Sequence, residues 1–367
     1  RLVRTTVTQG LDQDAIATAL AAAVNAADAL TVTAAGNGGN ANEVDVTAIQ
    51  LGTLTSTIDL RFNYNGEEFP AGVAPSISIT TAGSGDPSQA EVQALWTAIG
   101  DEWFTETVFP WTDSTSLTEL KNELFARSGP ARQVPSVAFA ALSDTSANLI
   151  AHDGKNSEWI SISGIPSMPS PGYEVAAATA AVVAISAGND PARPYQTLPL
   201  LGILGAAEVD RFTQAEQQLL LENGKATTYV DAGGFVRVQR QVTTYLTTAG
   251  GAPDDSYLDV TTPETLIYLA FDWVTYWQRK YGRHKLGVDG VRYGAGQPIM
   301  TPQRARGVMA ARYAVWEELG IVEDSAGFLE ESIVEINSAD PNRLDFDLRP
   351  RLVNGLRVGA TVMRFIL

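Results

Sequence analysis

The arrangement closest to catalytic chemistry is a serine, a histidine and several aspartates. Ser167 lies in GIPSMPSPG (164–172), after a run that reads as a strand and before one that reads as a helix, with His152 and aspartates upstream. The order Asp, His, Ser occurs in one class of serine hydrolase. A nucleophile and its base must, however, be positioned together. Ser167 is flanked by Pro166 and Pro169, its loop is longer than a tight nucleophile elbow allows, and His152 falls in the polar run AHDGKNS. A serine hydrolase using Ser167 and His152 therefore stands as the alternative reading, not the leading one.

Other chemistry is poorly supplied. His152 and His284 are the whole imidazole supply and come from distant segments, so a histidine metal site would have to draw both together. His284 sits in RKYGRHKLG among cations and reads as a docking or surface residue. The acidic run APDDSYLD (252–259) lacks the alternating ligands and closing glutamate of a calcium loop. AAGNGGN and YGAGQP carry neither a Walker lysine nor a dinucleotide fingerprint and read as turns. With no cysteine, thiolate metal sites, disulfides and cysteine nucleophiles are excluded. We expect no enzyme, no cofactor and no metal.

Composition and charge point the same way. The 367 residues are 45% hydrophobic and 18% charged, which describes a folded chain large enough for two or three domains. A formal charge of −17 repels nucleic acid and anionic lipid. No window is long and apolar enough for a membrane span, and no signal peptide opens the chain. The charge is uneven: Arg279, Lys280, Arg283, Lys285, Arg292, Arg304, Arg306 and Arg312 stand against Asp289 alone over 279–312. Such a segment suits docking onto an acidic surface, including that of another copy; solvated helix faces are the plainer explanation.

The elements that must position these residues fall into three stretches. Residues 12–29 predict a helix, followed by short alternating runs at 43–49, 57–64 and 75–81, a small α+β module ending at AGSGDPS (82–88). Next come strand 104–110, helix 116–127 with a Ser116 to Glu119 capping box, strands 136–142 and 158–164, and helix 173–187. This alternation predicts a mainly parallel, doubly wound α/β layer. The apolar, Pro- and Gly-punctuated run 190–206 must pack along a surface. Helix 213–223, capped by Thr213 with Glu216, then leads to a hairpin about DAGG (231–234).

The last third opens with helix 263–281, capped by Thr262 with Pro263 first and striped by Leu266, Ala270, Val274, Trp277 and Tyr281. Tyr268, Phe271 and Trp273 widen its apolar surface, so it should be covered on more than one side. Helix 302–319 follows, capped by Thr301 and stopped by Gly320, with Val308, Ala311, Val315 and Leu319 facing a core. RLDFDLR (343–349) and GLRVGATVMRFIL (355–367) read as strands. Both faces of the second are apolar, which requires insertion into a sheet of its own chain or of a neighbour.

With these elements in place, a resemblance emerges. The run from SYLDVTTPETLIYLAFDWVTYWQRKYGRHKLGVDG to RYAVWEELGIVED (256–324) is similar to the C-terminal part of Mu-like contractile phage tail sheath proteins. IGDEWFTETVFPWTD (99–113), DPARPYQTLPLLGI (190–203), FTQAEQQLLLENGKATTYVDAGGFVRVQRQVTTY (212–245) and DPNRLDFDLRPRLVNGLRVGATVMRFIL (340–367) resemble the same family. The likeness spans roughly 57–367 and is weakest in residues 1–56. The opening RLVRTTVTQG, without an initiator methionine and already reading as a strand, leads us to expect a preceding segment.

The resemblance implies a subunit that polymerises as stacked hexameric rings around a tail tube and contracts to drive the tube through the host envelope. Its partners would be other copies, the tube protein, and the baseplate and tail terminator proteins, with no nucleic acid. It would be assembled in the host bacterial cytoplasm and reside in the virion tail. Domains are expected at 1–84 (a peripheral α+β module), 86–250 (α/β, subtilisin-like in fold) and 251–367 (an assembly domain ending in a β-strand). Strand addition to a neighbour would use Leu356, Val358, Ala360, Val362, Phe365 and Ile366. Contacts to the tube or to adjacent subunits would use Lys280, Arg283, Lys285, Arg304, Arg306 and Arg312. Reversal of Arg304, Arg306 and Arg312 to Glu should leave a folded monomer that cannot assemble. The chain as given, without the arm, is expected to be monomeric. A cell-surface adhesion module is a further alternative, suggested by the β-rich first unit.

Overall fold

A computed structural model describes residues 2–27, 30–49, 52–58, 60–63, 66, 68–78 and 85–364. The chain divides into two units, Arg1–Val92 and Gln93–Leu367. In the first, Asp12 caps helix α1 (Gln13–Asn25) by accepting the amide of Ala15 at 2.8 Å. Strands β1 (Val32–Gly36) and β2 (Val44–Ala48) form an antiparallel hairpin. Asn25 fastens helix to hairpin: its amide donates to Ala34 O at 2.7 Å and its Oδ1 accepts from Ala34 N at 2.8 Å. The expected strand at 43–49 is present. The described residues of the expected strand at 57–64 form none, because Thr53–Thr57 closes into a 3-10 turn and residues 58 and 60–63 have no strand partner. Residues 75–78 also lie outside any strand. Residues 59, 64–65 and 79–84, which include parts of the expected strands and of the 82–88 boundary, lie outside the described residues.

Helix α2 (Gln89–Ile99) begins in the first unit and ends in the second. The second unit is built on a six-stranded mixed sheet. Strands β3 (Glu106–Val108), β4 (Val137–Ser143), β5 (Ile160–Ile165) and β7 (Lys225–Val230) run parallel; β8 (Phe235–Arg240) and the edge strand β6 (Pro199–Leu204) add antiparallel pairs. The mixed α/β architecture matches the alternation in the sequence, and the run 190–206 supplies β6. Helix α5 (Gly172–Asn189) packs on one face, where Ala141, Ile165, Val175, Ala176 and Val238 share a core. Gly172 approaches so closely that a Cβ there would stand 2.7 Å from Ala141 O. On the other face Gly164 lies against Leu149 of α4 (Ser146–Ala151) and Leu220 of α6 (Gln214–Glu222).

Local signals were mostly honoured. Thr213 and Glu216 form the expected capping box, and β7 and β8 form the expected hairpin. Helix α3 (Ser114–Ser128) starts earlier than the Ser116–Glu119 pattern implied, because the Asp113 carboxylate accepts the amides of Thr115 and Ser116 at 3.0 and 2.9 Å. Helix α7 (Thr261–Tyr281) also starts early, at Val260 instead of Thr262. There Asp259 bridges Val242 and its carbonyl accepts Thr262 N.

The last helices carry the larger corrections. α8 (Pro302–Glu318) is capped by Thr301 and stopped at Gly320 (φ 72°) as expected. Its buried stripe, however, is Ala305, Met309, Tyr313 and Trp316, while Val315 and Leu319 are 39% and 58% exposed. Large aromatics bury more area than valine and alanine, and they set the helix's phase. Along α7 the residues buried are Pro263, Glu264, Thr265, Ile267, Leu269 and Trp273; the expected stripe of Leu266, Ala270, Val274, Trp277 and Tyr281 is only half-buried. The run 263–265 places burial on successive faces, so α7 is covered on more than one side.

Between α7 and α8 lie the two-residue strands β9 (Lys285–Leu286) and β10 (Ile299–Met300). After α8 come β11 (Val322–Glu323), α9 (Ser325–Glu331), β12 (Ile333–Ile336), β13 (Leu344–Asp347) and β14 (Arg351–Leu352). β12 pairs antiparallel with β13, and β14 with β11.

Candidate assembly surfaces

The serine hydrolase arrangement is not assembled. The His152 ring is half-buried, with Nε2 2.8 Å from Thr112 O, and burial pushes its pKa down. Ser167 is exposed, and no hydrogen bond joins it to His152 among the described residues. Nearby burial serves structure. Lys225 is fully buried on β7, donating to His152 O at 3.0 Å, and burial lowers its pKa to about 8. Nothing in the sequence marks this lysine as interior. Glu264 is also buried, and its pKa is raised well above the usual carboxylate range by burial and by the charge of Glu106. Among the described residues no cluster of three or more His, Cys, Asp or Glu is suited to a metal ion, and no helix is long and apolar enough to cross a membrane.

The basic segment separates into two groups. Arg312 is half-buried and paired within the chain: its Nε donates to Asp272 Oδ2 at 2.6 Å, its Nη2 also donates to Asp272, and its guanidinium lies 4.8 Å from the centre of the Tyr276 ring. Trp316 Nε1 donates to the same carboxylate at 2.7 Å. Reversal of Arg312 to Glu would set two carboxylates together, an argument against the expectation that the fold survives it unharmed. Arg306 donates to the carbonyls of Ser332, at 3.1 Å, and Leu329, closing the C-terminal end of α9. Arg304 donates to Ile299 O at 2.8 Å.

The remaining cations face outward. Lys280 Nζ donates to the Tyr276 hydroxyl at 3.1 Å and sits over the Tyr276 and Tyr281 rings. Lys285 donates to Gln297 Oε1 at 3.2 Å, and Arg279, Arg283 and Arg292 are exposed. Among the described residues none of these five pairs with a carboxylate. Asp289, the segment's one acid, accepts the amide of Gln303 at 3.1 Å and faces the start of α8.

The C-terminal segment is the second open surface. Residues 355–364 belong to no sheet of this chain, so over the described residues the closing run is not inserted into its own sheet. Leu356, Val358 and Val362 are 80%, 81% and 79% exposed, and Ala360 is exposed. Phe365 and Ile366 lie outside the described residues.

Residues 85–244 match the family profile of the phage tail sheath protein central domain. Over 366 residues the chain is 35% identical to the Mu-like prophage FluMu tail sheath protein of Haemophilus influenzae, covering 99% of this chain and 74% of that one. The chain belongs to the phage tail sheath protein family. Likeness to the Mu-like sheath relative extends into the first 56 residues, beyond the span evident from motifs alone. Its role is that of a tail sheath subunit.

Two solved sheath structures are also similar. One is a sheath tail protein of Listeria innocua, at 13% identity, 88% of this chain, 72% of that chain and a TM-score of 0.50. The other is the helical sheath of the anti-feeding prophage in its contracted state, at 15% identity, 77% and 76% coverage and a TM-score of 0.48. Sequence reading of this sheath subunit missed the grouping of Arg240, Asp259 and Arg357: Asp259 lies 19 residues from Arg240 along the chain, and no local pattern joins either to Arg357.

Proposed function

We propose that this sheath subunit polymerises with copies of itself as stacked hexameric rings around a tail tube, and that the sheath contracts to drive the tube through the host envelope. Baseplate and tail terminator proteins would bound the sheath, which would be assembled in the host cytoplasm. The observation that carries this is the 35% identity to a tail sheath protein along nearly the whole chain. In this reading the module 1–84 lies at the periphery, 86–250 is a subtilisin-like fold without catalysis, and 251–367 is the assembly domain.

The side-chain partners described above support this reading of the contact surfaces. Lys280, Arg283 and Lys285 face outward and would meet acidic groups of the tube or of a neighbouring subunit. Arg304, Arg306 and Arg312 would act by holding the surface in shape. Charge-complementary contacts can re-pair after subunits slide with less geometric demand than interdigitated cores, which suits a lattice that must contract. The apolar row of the C-terminal segment would add as a strand to a neighbour.

The test is negative-stain electron microscopy of the protein co-expressed with its tail tube protein. Striated hollow tubes are expected; uniformly small particles would overturn the reading.

A further inference from the structure

β14 ends at Leu352, and Val353 donates its amide to Ile321 O at 3.2 Å. Past that point Arg357 Nη1 lies 2.8 Å from Asp259 Oδ2. Arg240 holds the same carboxylate through Nε at 2.9 Å and Nη2 at 3.3 Å. Between the two anchors Gly355 runs against Pro194, where a Cβ would stand 2.7 Å from Pro194 Cγ, and Gln196 Nε2 reaches Leu356 O at 3.5 Å. These groups border a polar hollow of about 120 Å³. Gln241, on its wall, is buried with Oε1 unpartnered. Among the described residues, no hydrogen bond or ion pair engages 358–364.

We propose that the Asp259 carboxylate, held by Arg240, is a socket for Arg357, and that Arg357 is the positioning residue that roots the C-terminal segment and decides which of its faces is offered to a second copy of this chain. The facing part rests on the reading that this segment joins copies. In extended chain, successive side chains point to opposite sides. With Arg357 turned toward Asp259 and Gly355 against Pro194, Leu356 and Val358 are turned outward. A strand continuing from there carries Ala360 and Val362 on the same outward side. A slip of one residue at the root would send that apolar row inward and present Gly359, Thr361 and Met363 instead. A lone surface ion pair holds little; here one carboxylate is shared by two guanidiniums, on a backbone already fixed by the bridge to Val242 and the start of α7.

The chain has no cysteine, so Val358→Cys accepts a single nitroxide label whose spectrum reads nanosecond mobility. With Arg357 in place the label should be partly immobilised. In Arg357→Ala its rotational correlation time should fall at least about threefold, with Arg357→Lys between them. Salt at 1 M, where screening acts over about 3 Å, should move the Arg357 protein toward the alanine variant. Equal mobility in all of these overturns the socket. For the facing part, Arg357→Ala co-expressed with the tube protein should lower the yield of striated tubes at least about tenfold, and an unchanged yield overturns it. If the unsubstituted chain forms no tubes, the sheath reading falls and takes the facing part with it, while label mobility still decides the socket.

Discussion

Two sets of cations in one molecule behave in opposite ways. Those of α8 and of the sheet interior are held by their own chain: Arg312 by Asp272, Arg306 by the end of α9, Lys225 by main-chain carbonyls. Those between Arg279 and Arg292 point outward with no carboxylate beside them among the described residues. In the sequence Arg304, Arg306 and Arg312 belong to the same basic run, 279–312, as the outward cations, while Lys225 stands outside it. The difference teaches that a charge run is not one surface: helix phase and long-range partners sort it into residues that hold the fold and residues left for another molecule.

The largest expected effect breaks the first set. Arg312→Glu removes a largely buried ion pair and places a second carboxylate beside Asp272, so urea melts should show a loss of about 3 kcal/mol. Lys225 comes next. Its folded pKa of about 8 lies below its ordinary value, so the unfolded chain binds the additional proton between about pH 8 and 10.5, and stability rises with pH across that window. Stability relative to Lys225→Met should therefore rise by about 2 to 3 kcal/mol between pH 7.5 and 10.5; a flat difference would show the amine is not buried as described. Arg306→Ala should cost about 1 kcal/mol in thermal melts, through the uncapped end of α9.

The smallest stability effect belongs to the outward set. Lys280→Glu, Arg283→Glu and Lys285→Glu together should shift stability by no more than about 0.5 kcal/mol. The same triple variant should nevertheless fail to form tubes with the tube protein. A triple variant that assembles normally would remove the outward cations from the contact, and one that unfolds would erase the distinction between the two sets.

Much of the fold was legible because it is written locally. The Thr213–Glu216 box, the Thr301 cap with Pro302, the stop at Gly320 and the hairpin around DAGG each depend on residues within a few positions of one another. The strand and helix alternation of 104–190 foretold a parallel sheet, and the hairpin around DAGG foretold the antiparallel β8; the run 190–206 was legible only as a packed apolar stretch, and its forming the edge strand β6 was not. Failures arose where several local answers competed. Asp113 offered a stronger cap than Ser116, and the aromatics of α8 outweighed its aliphatics in setting the buried face.

The candidate surfaces were legible only in outline. The C-terminal segment stood out because both its faces are apolar, which no solvated tail requires. The basic run stood out as composition, but its division did not, since Arg312 and Asp272 are 40 residues apart. The serine and histidine that suggested hydrolysis were visible in sequence, and only placement separated them.

By itself, then, the sequence determined the types of element, most of their caps and turns, the excess of negative charge and the likeness to tail sheaths, all of which rest on short-range pairing or on direct comparison of residues. Tertiary structure decided which face of α7 and α8 is interior, which arginines are held within the fold, and where the C-terminal segment leaves the body at Asp259. The physical reason is that burial and ion pairing are set by three-dimensional neighbours, and Arg240, Asp259 and Arg357 become neighbours only when the sheet, the start of α7 and the end of the chain are folded together.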